Sequence, residues 1–148
     1  MIEQKIEKKA IDAMKEALGN FQVQYIGIWQ TDADKACEDG ESAVVAVKAY
    51  PRSYETPTIP YASIEVEVSL AVRSDIDFNG QTYLDLTSRM QEVMQTWQKD
   101  FQSSHVAFSI DNEFDETGFQ LNGGDCGIDR ESKVWQFSQS FTIFGIIL

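Results

Sequence analysis

The sequence has few of the residues on which enzymes and metal sites most often depend. Its 148 residues include two cysteines, three prolines and one histidine. Cys37 and Cys126 lie far apart and neither belongs to a C-x-x-C motif, so no disulfide framework or zinc site is predicted. His105 would have to serve any Ser/His/Asp or Cys/His catalytic set, and no G-x-S-x-G motif accompanies it.

Positive charge is also scarce. The chain has 12 basic and 24 acidic residues, which gives a formal net charge of −12. This balance argues against a protein that grips nucleic acid through its phosphates and against adhesion to an anionic membrane. No stretch approaches 18 apolar residues and the first residues, MIEQKIEKKA, are charged, so neither a membrane span nor a signal peptide is expected.

The clearest pattern that is present is a strand at residues 64–73, IEVEVSLAVR. Apolar and other residues alternate, which places one set on each face of a β-strand. The apolar face must be covered, and we expect the rest of the chain to cover it. The face that carries Glu65 and Glu67 is predicted to stay exposed or to meet a partner. The apolar positions are Ile64, Val66, Val68, Leu70 and Val72.

Two amphipathic helices are predicted from apolar stripes at helical spacing. The first spans residues 2–18 and the second spans residues 81–99. Asp77 or Asn79 is the predicted N-terminal cap of the second helix. We interpret the methionine- and aromatic-containing stripe of this helix as core packing rather than as a cofactor site.

Further strands are predicted on both sides of the central one. Residues 43–50 form a continuous apolar run that is predicted to pair with residues 62–73. A short strand is predicted to begin at Phe21, and a weakly alternating one at 106–110. The last strand, 133–147, alternates aromatic with polar residues.

Three segments carry the composition of loops. Residues 31–42 are polar and acidic. Residues 51–60 contain all three prolines and are predicted to project as a loop or as the tip of a long hairpin. Residues 118–132 hold four glycines and are predicted to be a loop, with a short strand at Phe119 and Leu121.

Together these elements predict one domain, residues 1–148, of the α+β class. We expect an antiparallel sheet with two helices packed on one face and a long hairpin or loop projection. The abundant carboxylates lie in hydrophilic segments, where the burial needed to shift their pKa is not expected. We therefore predict no catalytic residue, cofactor or metal, and a protein that works through its surfaces.

The order of these elements resembles the tail terminator proteins of long-tailed bacteriophages. The resemblance rests on the N-terminal helix, the AVVAV strand, a proline-containing loop that leads into IEVEVSLAV, and the helix after it. It also rests on the glycine- and acid-rich stretch GFQLNGGDCGIDRESKVW, which runs into the last strand, FSQSFTIFGI.

The resemblance implies a structural virion subunit of the phage tail and neck, assembled in the bacterial host cytoplasm. It implies a ring, a hexamer in this family, that caps the tail tube, stops its growth and forms the head-tail connection. The implied partners are further copies of the chain, the tail tube protein and a head-completion or neck protein. DNA passes through such a ring without specific binding.

Two sets of residues are candidates for these contacts. The loop 51–60 exposes apolar residues and is predicted to reach the tube or the next subunit. The candidate interface residues in this loop and directly after it are Tyr54, Thr56, Pro57, Ile59 and Tyr61. An acidic lumen repels DNA phosphates, and either the acids of 31–42 or a later set are expected to line it. That later set is Glu113, Asp115 and Glu116.

Three alternatives remain open from the sequence. One is another neck or tail-completion adaptor of a phage. A second is a small α+β enzyme or ligand-binding module with a pocket between helix 81–99 and the sheet, in which His105 takes part. A third is an adaptor or chaperone that binds a basic partner through its acidic face.

Overall fold

The structure, a computed structural model, describes residues 1–19, 21, 23–26, 43–54, 58–77, 79–110, 112–131 and 133–148. The predicted acidic loop at 31–42 lies outside these residues. The described elements, in chain order, are α1 (Ile2–Ala17), β1 (Gln24–Ile26), β2 (Ala43–Ala49), β3 (Ser53–Tyr54), β4 (Tyr61–Arg73), α2 (Gln81–Ser104), β5 (Phe114–Asp129) and β6 (Val134–Ile147).

The described strands form one six-stranded sheet in the order β1-β2-β4-β6-β5, with β3 paired to the first residues of β4. Every pairing is antiparallel except that of β1 with β2. The predicted pairing of 43–50 with 62–73 is confirmed, since Ala43 lies opposite Val72 and Ala49 opposite Val66. The predicted α+β architecture is likewise confirmed.

Both helices pack on one face of this sheet, which we call the inner face. The alternating apolar residues of β4 point into it and are fully buried or nearly so. The stripe of α1 supplies Ile6 and Met14, and that of α2 supplies Leu86, Met90 and Met94, all with no exposed surface. The apolar residues whose spacing predicted these helices are therefore the ones that cover the sheet.

The start of α2 is held from the turn before it. The carboxylate of Asp77 accepts hydrogen bonds from the backbone N–H groups of Thr82 (3.1 Å) and Tyr83 (2.8 Å). These two groups have no partner within the helix, so Asp77 acts as the predicted cap. The indole N–H of Trp135 donates to the Asp77 carbonyl at 2.8 Å, which ties the turn to β6. The helix ends at Ser104 rather than near residue 99.

The predicted strand at 106–110 is wrong, because its backbone groups bind side chains instead of another strand. The Glu116 carboxylate accepts from the backbone N–H groups of Ala107 (2.6 Å), Phe108 (2.8 Å) and Ser109 (3.0 Å). From the other side, the Lys9 ammonium donates to the carbonyls of Phe108 (2.6 Å) and Ser109 (2.7 Å). A φ of 53° at Ser109 also excludes an extended strand.

The predicted loop at 118–132 is also wrong, because most of it belongs to the 16-residue strand β5. Two of its glycines, Gly118 and Gly124, admit close neighbours from β6 rather than forming a turn. A Cβ at Gly118 would lie 3.1 Å from the Phe144 ring, and one at Gly124 would lie 2.8 Å from the Ser138 carbonyl oxygen. Bulges next to both glycines add irregularity to a strand that nevertheless follows β6 along its length.

Candidate interaction surface

The outer face of the sheet lies opposite the helices and has three zones. Near the turn that precedes α2 it carries a small buried apolar cluster, formed by Ile26, Val44, Ala46, Ala71 and Val134. Its middle is polar and partly exposed. The polar positions include Glu65, Glu67 and Ser69 of β4, Ser138, Ser140 and Thr142 of β6, and Asn122 of β5. The third zone, at the opposite end, is again apolar.

Hydrogen bonds order the polar middle. The Tyr50 hydroxyl donates to the Glu67 carboxylate at 3.2 Å, and the Ser69 hydroxyl donates to the same group at 3.2 Å. On the other side, the Asn122 amide donates to the Ser140 hydroxyl at 3.1 Å. The sequence expectation that the Glu65 and Glu67 face remains polar holds for this zone, whereas Ala71 on the same face is buried.

The apolar end of the outer face, the hairpin-end patch, consists of Ile59, Tyr61, Phe144 and Ile146. Tyr61 and Ile146 are opposite each other across β4 and β6, and Phe144 lies one pleat further along β6. The Phe144 ring rests on Gly118 of β5. Ile59 is 56% exposed and the other three are partly exposed, so large apolar side chains reach solvent together at this end.

The structure separates the residues predicted as an interface. Thr56 and Pro57 lie outside the described residues. Tyr61 belongs to the hairpin-end patch, together with Ile59. Tyr54, which is 52% exposed, pairs with Ala62, whose side chain points inward. Tyr54 and Tyr61 therefore lie on opposite faces of the projecting hairpin.

An ion pair fixes the base of this hairpin to α1. The Arg52 guanidinium donates to both Glu3 carboxylate oxygens, at 2.7 and 3.2 Å, and the Glu3 side chain is 9% exposed. Burial by itself raises the pKa of Glu3, but the hydrogen bonds and charge of Arg52 outweigh it and hold the pKa below its ordinary value. The hydrogen bond to Glu3 in turn raises the pKa of Arg52. The ion pair thus holds the start of the hairpin against α1.

The three predicted lumen acids have different surroundings. Glu113 is paired with Lys5 of α1, which lowers the pKa of Glu113. Asp115 is exposed. Glu116 is 9% exposed and its carboxylate binds the backbone of 107–109, so it stabilises the fold instead of contributing to an exposed acidic surface. A lumen position stays a prediction for Glu113 and Asp115.

The lone histidine is exposed at the C-terminal end of α2. His105 adopts a left-handed conformation with φ 59°, and its backbone N–H donates to the Phe101 carbonyl at 2.8 Å. An open depression of about 350 Å³ begins at the next residue, between Val106, Asp115 and Leu148. Among the described residues, no three His, Cys, Asp or Glu side chains are grouped to hold a metal ion.

Phe144 and Ile146 were missed as surface residues. The predicted aromatic face of the last strand, to which Phe137 and Phe141 belong, is the opposite face. Even-numbered positions face outward on β6, and the run FTIFGIIL places two large apolar residues among them. Strict period-two counting would have identified them as a second apolar face at the end of the strand.

A search of known protein families and of curated proteins found no family and no protein that matches this sequence. No helix among the described residues is long and apolar enough to cross a membrane.

Proposed function

We propose that this protein is a structural subunit of a bacteriophage tail, a terminator that assembles into a ring on the end of the tail tube. The ring, a hexamer in the family it resembles, stops tube growth and offers the site where the head is joined. Its partners are then the tube protein below and a head-completion or neck protein above. The protein acts in the virion by contact and has no catalytic role.

The observation that carries this proposal is the presence of exposed apolar side chains near both ends of β4. The hairpin-end patch lies where β4 begins. A second set of exposed apolar side chains, the turn-end group, lies near the end of β4. It consists of Ile76, Leu84 and Ile128, which are 60%, 57% and 40% exposed.

The separation of these surfaces suits a ring. The 13 residues of β4 place them about 40 Å apart. A closed ring needs a head-to-tail contact between two non-identical surfaces, whereas a two-fold dimer needs only one self-complementary surface. We infer that the hairpin-end patch of one copy contacts the turn-end group of the next.

The charge of the chain supports the same function. A net charge of −12 creates a field that repels phosphate, so DNA passes a ring of such subunits without adhering to it. Charge does not distinguish a terminator from another neck adaptor, and that alternative shares the ring. The two differ in whether the ring binds the end of a tail tube or only the head-side proteins.

Light scattering on size-exclusion fractions tests the ring contact. The wild type is expected to elute as one species, whose molar mass is a whole-number multiple of the 16.7 kDa mass of one chain. Tyr61→Ser in the hairpin-end patch and Leu84→Ser in the turn-end group are each expected to give single chains. Gln95→Ser, at an exposed position of α2, is the control and should leave the ring intact.

Mixing the two defective variants separates a head-to-tail contact from a two-fold one. Tyr61→Ser retains an intact turn-end group, and Leu84→Ser retains an intact hairpin-end patch. One productive contact between them is therefore possible, and the mixture should form pairs and nothing larger. A wild type that stays monomeric at every concentration would contradict the proposal, as would rings that survive both substitutions.

A further inference from the structure

The outer edge of β5 is the longest edge of the sheet. β5 pairs with β6 on one side, and on the other side it pairs with none of the described strands. Residues 123–128 are all exposed. An open edge presents backbone N–H and C=O groups that can pair with another extended chain.

The hydrogen bonds at the end of β6 show which β5 groups face this open edge. The N–H of Leu148 donates to the Glu113 carbonyl, toward β5, while the N–H of Ile147 donates to the Pro60 carbonyl, toward β4. Because these directions alternate along an antiparallel strand, odd-numbered β6 residues bind β4. The backbone N–H and C=O groups of the β5 residues opposite them therefore point away from β6. Cys126 and Ile128, opposite Phe137 and Trp135, are therefore open-edge residues.

The charged residues of this strand are all acidic. Residues 112–131 contain six acidic residues and one arginine. Glu113 and Glu116 are engaged within the fold, whereas Asp115 and Asp125 are exposed. Two such edges placed side by side would bring like charges together, which disfavours pairing of β5 with β5 of another copy.

A second copy also has little to offer this edge. Its described strands contain only two basic residues, Lys48 and Arg73, and Arg73 binds Asp75 through two hydrogen bonds. The complement of an acidic, open strand edge is an extended segment that carries lysine or arginine. The described strands of a second copy offer no such segment, so we assign it to a different protein.

We propose that the β5 edge at residues 124–129 binds an extended, basic segment of a partner protein, which adds to the sheet as a further strand. Backbone hydrogen bonds to Cys126 and Ile128 supply the pairing, and Asp125 supplies charge complementarity. This goes beyond the proposed ring, because it concerns a different partner and the backbone of the β5 edge, although the Ile128 side chain also belongs to the turn-end group.

The test uses the full chain and a fluorescent peptide that alternates lysine with valine. Fluorescence anisotropy should show saturable binding to the wild type. Cys126→Pro removes one open-edge N–H and leaves the bonds to β6 in place, so it should weaken binding about tenfold or more. Cys126→Ala retains that N–H and is expected to bind like the wild type. Asp125→Asn should weaken binding and reduce its dependence on salt.

A second peptide keeps the test independent of how the proline variant folds. It has the same charge but an N-methyl group on every backbone nitrogen, so it has no backbone N–H group on either edge and cannot pair as a strand. The wild type should not bind this peptide. Equal binding of both peptides would reduce the effect to charge alone and overturn the proposal, as would the absence of binding to the first peptide. Ring formation, measured separately, is expected to be the same in Cys126→Ala and the wild type.

Discussion

The two faces of β4 are built from the same strand and have different roles. Ile64, Val66 and Val68 point inward and have no exposed surface. Glu65 and Glu67, which alternate with them, point outward and are exposed or partly exposed. The inner face is closed by the helices of its own chain. The outer face has polar groups in its middle and apolar groups at its end, where contact with another molecule can add burial.

This contrast separates residues that hold the fold from residues that are free to make contacts. Inner-face substitutions should lower the free energy of unfolding, because they leave cavities in close-packed surroundings. Outer-face substitutions at the hairpin end should leave that free energy nearly unchanged and alter assembly. Each of the following variants tests one side of this comparison.

The largest effect is expected for Phe141→Ala on the inner face. Phe141 is fully buried and its ring contacts those of Trp97, Phe108 and Phe119. Its loss should cost about 3–5 kcal/mol of unfolding free energy in urea denaturation. Ser140→Ala, the neighbouring position on the outer face, is the control and should cost less than about 1 kcal/mol. Similar costs at both positions would remove the distinction between the faces.

Glu116→Ala should have the next largest effect. Its carboxylate satisfies three backbone N–H groups, and their loss should cost about 3 kcal/mol because those donors remain partly buried. Asp115→Ala, one residue earlier and exposed, should change the unfolding free energy by less than about 0.5 kcal/mol. A larger cost at Asp115 than at Glu116 in the same urea experiment would contradict the assigned role.

Arg52→Ala should cost about 2 kcal/mol at neutral pH, since it leaves the Glu3 carboxylate buried without its partner. The pKa of Glu3 is lowered in the folded protein, so the contribution of the ion pair is present above the ordinary value of 4.5. It is lost as the pH falls through the lowered folded pKa. The gap between variant and wild type should therefore narrow in acid, and a constant gap down to about pH 2 would contradict this.

The smallest effect on stability is expected for Ile59→Ser. Ile59 is more than half exposed, so its replacement should change the unfolding free energy by less than about 0.5 kcal/mol. The same variant should weaken assembly measured by sedimentation velocity, because it removes apolar surface from the hairpin-end patch. A variant that loses stability but assembles like the wild type would show that Ile59 stabilises the fold and does not contribute to assembly.

Much of the fold was predictable where periodicity was long and regular. β4 and both helices present uninterrupted apolar stripes, and their packing follows from those stripes. β5 was not predictable in the same way. Its glycines resemble turn residues in sequence, and Gly118 is explained only by the approach of Phe144 from the neighbouring strand. Secondary-structure propensity reflects local preference, and it carries no information about a tertiary contact such as that of Gly118 with Phe144.

The candidate surface was predictable only in part. Proline and aromatic residues identified the projecting hairpin, including Ile59 and Tyr61, but not Phe144, which is distant in sequence. Glu116 looked like its acidic neighbours because composition carries no information about which carboxylate turns inward. Its three backbone partners come from a segment seven to nine residues earlier, and that proximity exists only in the folded chain.

Negative-stain electron microscopy of the purified wild type at high concentration tests the central claim most directly. Annuli with an open centre, absent from the Tyr61→Ser sample, are the expected result. Isolated small particles at every concentration, with and without the tail tube protein, would contradict the claim that the hairpin-end patch joins copies of the chain into a ring.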